Sequence, residues 1–435
     1  MDRLEIGTVG IAAVLVLLAL RMPVGVVLGI VSFIGISVIT STGAAWGILT
    51  AIPMNFVAQW SLSAVPMFLL MGYIAAQAGL TRGLFSSARM LIGRIPGGLA
   101  SATVIASALF ASSSGSSVAT AAAFSRIAVP EMMKANYKAS LATGSVAAAG
   151  TLGSMIPPSI LMILFGIFTN TSISQLFVAG ILPGILSAVA FIVMITLRAT
   201  FTPDLAPRYR GTHTRVELWA AIRDIWPLPV LILGVLGGIF AGIFTPTESG
   251  AIGAVCALLI ALSRRSINRK AFAQAVIATA EGTATVFLIA IGATMFSVFL
   301  GLTGVPAALA EVLLGIVESP LAVIAAIAVL YIILGMFVES VAIMLLTIPI
   351  IDPVLKSLGI DMIWFGIIVI KLLEIGLITP PVGLNLFVVK SAMGSRVSLT
   401  EVIRGASWFV LTDLVTLTLI VLFPAISLFL PSLMK

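Results

Sequence analysis

Charge is what this 435-residue sequence has least of: 9% of its residues are Asp, Glu, Lys or Arg, while 60% are apolar. Soluble globular chains carry roughly 25% charged residues. One core of a chain this long cannot hide so much apolar surface, so lipid must cover the remainder. Cysteine and histidine are nearly absent. The single cysteine, Cys256, lies in an apolar run and reads as packing, and the single histidine, His213, lies in a polar loop and reads as surface. That excludes a disulfide framework, a Cys/His metal site and a Cys/His dyad. No nucleotide-binding loop and no nucleophile elbow occurs, so the chain does not hydrolyse ATP. Paired catalytic carboxylates, a His/Glu metal set and an activated nucleophile are also missing, which sets aside an intramembrane enzyme. The N-terminus does not read as a cleaved signal either. The flank Met1-Asp2-Arg3-Leu4-Glu5 is mixed in charge and no small-residue cleavage site follows, so the first apolar run is expected to stay as a helix.

Glycine (39) and proline (21) are plentiful, which spanning helices tolerate where neighbours satisfy the freed backbone groups. Runs long enough to cross a bilayer fall at about 6–20, 24–40, 62–79, 140–169, 175–197, 227–244, 249–263, 283–302, 363–393 and 406–430. Two further apolar stretches, 96–129 and 320–350, are each interrupted near the middle by Gly, Ser or Pro. Amphipathic pieces such as 80–95, with Arg82, Arg89 and Arg94, are suited to an interface. Trp46, Trp60, Trp219, Trp226, Trp364 and Trp408 all fall near expected interfaces and read as aromatic-belt anchors.

The net charge of +7 comes from short basic clusters between apolar runs, a positive-inside signature rather than a nucleic-acid surface. The loop 198–223 holds Arg198, Arg208, Arg210, Arg215 and Arg223 against Asp204 and Glu217, which places it in the cytoplasm. Counting spans outward puts Arg264, Arg265, Arg269 and Lys270 on the same side, with Lys390, Arg396 and Arg404. Both chain termini are then expected to be periplasmic. The stretch 96–129 has basic residues on both flanks, Arg82, Arg89 and Arg94 before it and Arg126, Lys134 and Lys138 after it. The stretch 320–350 is bracketed by Glu311, Glu318, Asp352, Lys356 and Asp361. These flanks predict two re-entrant hairpins entering from opposite faces.

An internal register supports that reading. Pro23 and Pro246 lie 223 positions apart, and the same offset carries Ser117-Val118-Ala119 onto Ser340-Val341-Ala342. It also carries Pro130 onto Pro353, Gly153 onto Gly376, and Pro157-Pro158 onto Pro380-Pro381. Each half therefore holds five expected crossings and one hairpin. Five is odd, so the second half runs inverted. Inverted repeats with paired, interrupted segments point to a secondary transporter whose site lies near the midplane.

The interruptions carry the chemistry. Five serines around Gly115, in Ser112-Ser113-Ser114-Gly115-Ser116-Ser117, would waste hydrogen-bonding groups unless the backbone unwinds there. Unwound backbone offers carbonyl and hydroxyl oxygens to a hard monovalent cation. Opposite it, Gly153-Ser154-Met155-Ile156-Pro157-Pro158-Ser159 removes two amide donors and breaks a helix, freeing carbonyls. In the second half Gly335-Met336-Phe337-Val338-Glu339-Ser340 forms the tip, and Gly376 through Asn385, with Thr379-Pro380-Pro381, forms the break. Glu339 and Asn385 are polar groups at membrane depth, which by default suggests function. With so few acidic or histidine groups to relay protons, the expected coupling ion is sodium.

These segments, together with Phe244-Thr245-Pro246-Thr247-Glu248 and Ile348-Pro349-Ile350, resemble the large membrane subunit of tripartite ATP-independent periplasmic (TRAP) transporters, over essentially the whole chain. The resemblance implies an all-α, elevator-type, sodium-driven importer of small organic acids such as dicarboxylates, keto acids or sialic acid, in a bacterial inner membrane. It also implies two partners: a small four-helix membrane subunit, here expected as a separate polypeptide, and a periplasmic substrate-binding protein. No cofactor other than the coupling sodium is implied. Carried onto this sequence, the first sodium would sit between Ser114, Ser116 or Ser117 and the Gly153 to Pro157 break. The second would sit between Gly335, Glu339 or Ser340 and Thr379-Pro380, with substrate near Ser112, Ser113, Ser159 and Asn385. The expected division is a first repeat, 1–200, a cytoplasmic loop, 201–225, and a second repeat, 226–435. Within these, 1–60 and 226–263 would be scaffold, and 62–200 and 283–435 transport elements carrying hairpins 96–130 and 320–350. A stand-alone citrate or dicarboxylate carrier of the same architecture is the competing expectation.

Overall fold

The computed structural model describes residues 2–20, 22–207, 219, 223, 225–316 and 319–434, all of whose regular structure is helical. His213, Arg208, Arg210, Arg215, Glu217 and Glu318 lie outside the described residues. Several helices start where a short polar side chain, such as Ser41, Ser116, Ser172 or Asn268, takes up an orphan amide. Asp2 with Glu5, Thr245 with Glu248, and Ser398 with Glu401 form reciprocal capping boxes. Glu248 is thereby a capping residue.

The outer helices are α1 (Arg3–Ala19), α2 (Val24–Ile39), α3 (Thr42–Val57) and α4 (Ala64–Gln77), followed by the amphipathic α5 (Leu80–Ile92). Then come α6 (Gly98–Ser114), α7 (Ser117–Lys134), α8 (Ala139–Met155), α9 (Ile160–Thr169) and α10 (Ile173–Phe201). Beyond the loop follow α11 (Pro227–Phe240), α12 (Pro246–Ser263), the long α13 (Arg269–Thr303) and α14 (Val305–Ile316). The chain closes with α15 (Pro320–Gly335), α16 (Ser340–Ser357), α17 (Met362–Ile378), α18 (Leu384–Met393), α19 (Leu399–Leu422) and the short α20 (Ala425–Leu428).

Among the described residues six helices are individually long and apolar enough to cross a membrane, and a seventh span results if α8 and α9, bent by 40° at their break, count as one. Two helices, α3 (residues 42–57) and α14, were not expected, and α13 begins well before 283. Gly43, Gly47 and Pro53 interrupt the first of these as an apolar run, whereas the opening turns of α13 are polar and start from a good cap, Asn268.

Both interrupted stretches fold as helical hairpins. Across the first, the Leu99 amide near the start of α6 donates to the Tyr137 hydroxyl just past α7, at 3.2 Å, so the chain returns to where it began. Across the second, Tyr331 of α15 and Thr347 of α16 share a hydrogen bond of 2.5 Å.

The centre of the molecule is formed by the two helices that end at the double prolines. Every residue from Leu141 to Met155 and from Trp364 to Ile378 is buried. Helices α6, α7, α18 and α19 wrap α8, while α10, α15 and α19 pack on α17. On the outside, α2 packs on α13 and α4 on α12. Their far faces expose Ile30, Ile34, Val38, Val255, Leu259 and Leu288, surfaces that only lipid or another apolar partner can cover. Five of the six tryptophans are exposed as belt anchors should be. Trp364 is the exception: it is 9% exposed and its indole N–H donates to the Ile420 carbonyl at 2.9 Å, so it packs α17 against α19.

Candidate functional site

At the first tip, α6 ends on Gly115 in the left-handed conformation (φ 60°) and α7 restarts after Ser116, whose hydroxyl accepts the Ala119 amide. Ser114 reaches across the tip to Thr120 at 3.0 Å, clasping the two arms. The break opposite lies between α8 and α9, where the Pro157–Pro158 bond is cis. Tip and break touch. A Cβ on Gly153 would stand 3.0 Å from the Ser116 carbonyl, so only glycine lets the backbones come this close. Ser117 then meets Ser154, hydroxyl to hydroxyl at 2.7 Å.

The second tip repeats the arrangement with different side chains. Helix α15 ends at Gly335 and α16 begins at Ser340 after Glu339. The facing break follows Thr379, with Pro380–Pro381 also cis. Gly335 lies against Gly376 so closely that a Cβ on Gly376 would come 2.5 Å from the Gly335 Cα, and the Gly383 amide donates to the Met336 carbonyl at 3.0 Å.

Both tips open on one cavity of about 240 Å³. Gly115, Ser116, Ser117 and Ser154 line it from the first half, Glu339 and Ser340 from the second, and Leu69, Tyr73, Gly282 and Thr285 from α4 and α13. Three helices begin at this cavity: α7 at Ser117, α9 at Ile160 and α16 at Ser340. Helix N-termini favour negative charge, and unpaired amides there bind anions. The C-termini of α6, α8, α15 and α17 lie at the same two tips and breaks, and C-terminal carbonyls favour cations. The donor set is all oxygen: hydroxyls of Ser117, Ser154 and Ser340 beside freed carbonyls. The Ser340 hydroxyl is buried with no hydrogen-bond partner. No group of His, Cys, Asp and Glu able to hold a metal ion occurs among the described residues. Such a site suits a hard cation such as sodium.

A model of the DctM component of the tripartite ATP-independent periplasmic transporters matches residues 11–426. The chain belongs to this family. It is 37% identical to the C4-dicarboxylate TRAP transporter large permease protein DctM of Pseudomonas aeruginosa, over 86% of this chain and 87% of that one. It is 34% identical to the sialic acid TRAP transporter large permease protein SiaM of Vibrio cholerae, over 96% of each. The 2,3-diketo-L-gulonate TRAP transporter large permease protein YiaN of Escherichia coli is 34% identical, over 85% and 86%. In fold the permease is similar to the YdaH transporter of Alcanivorax borkumensis (TM-score 0.62, 16% identity, 86% of this chain and 88% of that one).

The other expected site residues of the permease are not among the residues that line the cavity. Ser112 is buried and donates to the Leu109 carbonyl at 2.8 Å, and the side chain of Ser113 lies outside the described residues. Ser159 is buried with an unpartnered hydroxyl. Asn385 donates to the Ala147 carbonyl at 3.2 Å, tying α18 to α8, and its Oδ1 has no partner. Thr379 bonds back to the Ile375 carbonyl at 2.6 Å. Pro157 and Pro380 act through the backbone, each being the first member of its cis pair.

Of three buried charged residues, sequence reasoning leaves Asp413 and Glu374 without a role and passes over Lys371. Lys371 and Asp413, each 0% exposed, form an ion pair between α17 and α19, and the Lys371 ammonium also donates to Ser187 of α10 at 2.9 Å. Glu374, likewise 0% exposed, accepts the Ser154 amide at 3.2 Å. Charge in the middle of a long apolar run was the available signal. The partners are 42 and 220 positions away, a distance at which a sequence offers no pairing.

Proposed function

We propose that the permease is the translocating subunit of a sodium-driven, binding-protein-dependent importer of a small organic acid anion. The observation that carries this reading is the convergence of two oxygen-rich tips and three helix N-termini on one cavity. Carbonyl ends suit the cation and amide ends the carboxylate, so ion and substrate would bind side by side and cross together. Relatives are named for C4-dicarboxylate, sialic acid and 2,3-diketo-L-gulonate, and an organic acid of that class is the proposed cargo here.

The architecture proposed with it is a pair of inverted repeats, residues 1–200 and 226–435, moving their hairpins and broken helices as an elevator against the outer helices. Matching double prolines at an offset of 223, each ending a buried central helix, support that division. The partners proposed are the small four-helix membrane subunit and a periplasmic substrate-binding protein, in a bacterial inner membrane with both termini periplasmic. Each sodium ion entering down a 100 mV potential contributes about 2.3 kcal/mol.

The test is uptake of labelled organic acids into proteoliposomes holding the permease with its small subunit, with and without the binding protein. Uptake is expected only with an inward sodium gradient and the binding protein. Equal uptake without the binding protein would instead establish a stand-alone carrier, and uptake driven by a proton gradient alone would refute sodium coupling.

A further inference from the structure

Glu374 is a buried acid with no ion-pair partner of its own among the described residues. Its Oε1 accepts the Ser154 amide, while Oε2 has no hydrogen-bond partner, and the side chain is 0% exposed. Lys371, one turn earlier on α17, is already committed to Asp413 and Ser187. A carboxylate buried in this way is costly until a positive charge comes near it.

The place where this carboxylate lands is specific. Ser154 is the residue whose hydroxyl meets Ser117 at 2.7 Å, and both line the cavity. Glu374 thus stands behind the first cation site, while the helix that carries it ends at the second break, beside Gly335. Neutral oxygens can ligate a sodium ion but cannot neutralise it, and the ion's charge would otherwise be solvated by dipoles alone.

We infer that Glu374 is the counter-charge and positioning residue of the cation site formed at Ser117 and Ser154, a role that rests on the sodium reading above. It holds the Ser154 amide so that the last turn of α8 presents its hydroxyl and carbonyls to the ion. Its negative charge balances the bound cation from behind the ligands without touching it.

The experiment is sodium titration of the purified full chain in detergent against a choline background, read by intrinsic fluorescence and by the sodium-dependent rise in unfolding temperature. Glu374→Gln keeps an acceptor for the Ser154 amide and removes only the charge. It is expected to raise the half-saturating sodium concentration by about tenfold or more, the order produced by one unit charge close by in a low-dielectric interior. Glu374→Asp, which restores the charge, is expected to recover the sodium response. Wild-type sodium affinity in Glu374→Gln, alongside a weakened Ser117→Ala, overturns the role of Glu374 alone. A wild-type chain with no sodium response overturns the sodium reading and this role with it. Should Glu374→Gln not fold, Glu374→Asp carries the test, and a folded Glu374→Asp protein without sodium response overturns the inference.

Discussion

Replacing Asp413 with leucine would strand the ammonium of Lys371 in the centre of the protein. Both side chains are 0% exposed, and the pair joins α17 to α19. Among the described residues the other acceptor Lys371 touches is the Ser187 hydroxyl at 2.9 Å, which itself donates to the Pro183 carbonyl. Removing one member of such a pair leaves an uncompensated buried charge and costs about 3–5 kcal/mol. Removing both is different, because the desolvation penalty disappears with the attraction. The double variant Lys371→Met/Asp413→Leu is expected within about 1 kcal/mol of wild type or more stable. Each single variant should lose several kcal/mol, so the coupling between the two positions should reach about 3 kcal/mol or more. Denaturant unfolding of the four purified proteins in one detergent measures this cycle. Single effects that add to within about 0.5 kcal/mol in the double variant would refute the reasoning. Transport by the double variant adds a second reading: a pair that only fastens α17 to α19 leaves sodium dependence unchanged when replaced by apolar groups of similar volume.

Ser117→Ala and Thr379→Ala, one at each proposed cation site, should each weaken sodium dependence of uptake without unfolding the protein; wild-type sodium activation in both would count against the two sites. Gly376→Ala should be severe, because the new Cβ would stand 2.5 Å from the Gly335 Cα, backbone against backbone; overpacking of this kind costs about 1–3 kcal/mol, and an unaltered unfolding temperature with full transport would contradict it. Ser340→Ala removes a buried hydroxyl that has no hydrogen-bond partner, so stability without sodium should be unchanged or higher while sodium stabilisation falls; a destabilised sodium-free protein would argue that the hydroxyl is structural. Tyr331→Phe breaks the bond to Thr347 across the second hairpin, and since Thr347 also donates to the Ile343 carbonyl at 2.8 Å, the cost should stay at about 1–2 kcal/mol in the same unfolding assay.

Much of this architecture is legible along the chain because each local feature has a local cause. The double prolines interrupt their helices by removing amides, whatever surrounds them. Gly115 turns the first tip because it alone tolerates a left-handed φ cheaply, and the serines around it cap or clasp the restarted helix. The first turns of α13 were hidden because hydropathy registers lipid contact and this segment is polar, while in residues 42–57 two glycines and Pro53 break up the apolar run. Trp364 was misplaced for a related reason: composition near a span end suggests an interface, but the neighbour that buries the ring, Ile420, comes from another helix.

What the sequence determined by itself is therefore the solvent, the helical segments, their interruptions and the oxygen-rich character of the two tips, since these follow from side-chain chemistry and backbone geometry within a few residues. The tertiary structure decided which groups stand together: Ser117 with Ser154, Gly335 with Gly376, Lys371 with Asp413, and Glu374 with Ser154. A hydrogen bond or a charge pair acts over a few ångströms of space. The packing around α8 and α17 at the centre brings residues as much as 238 positions apart into that range.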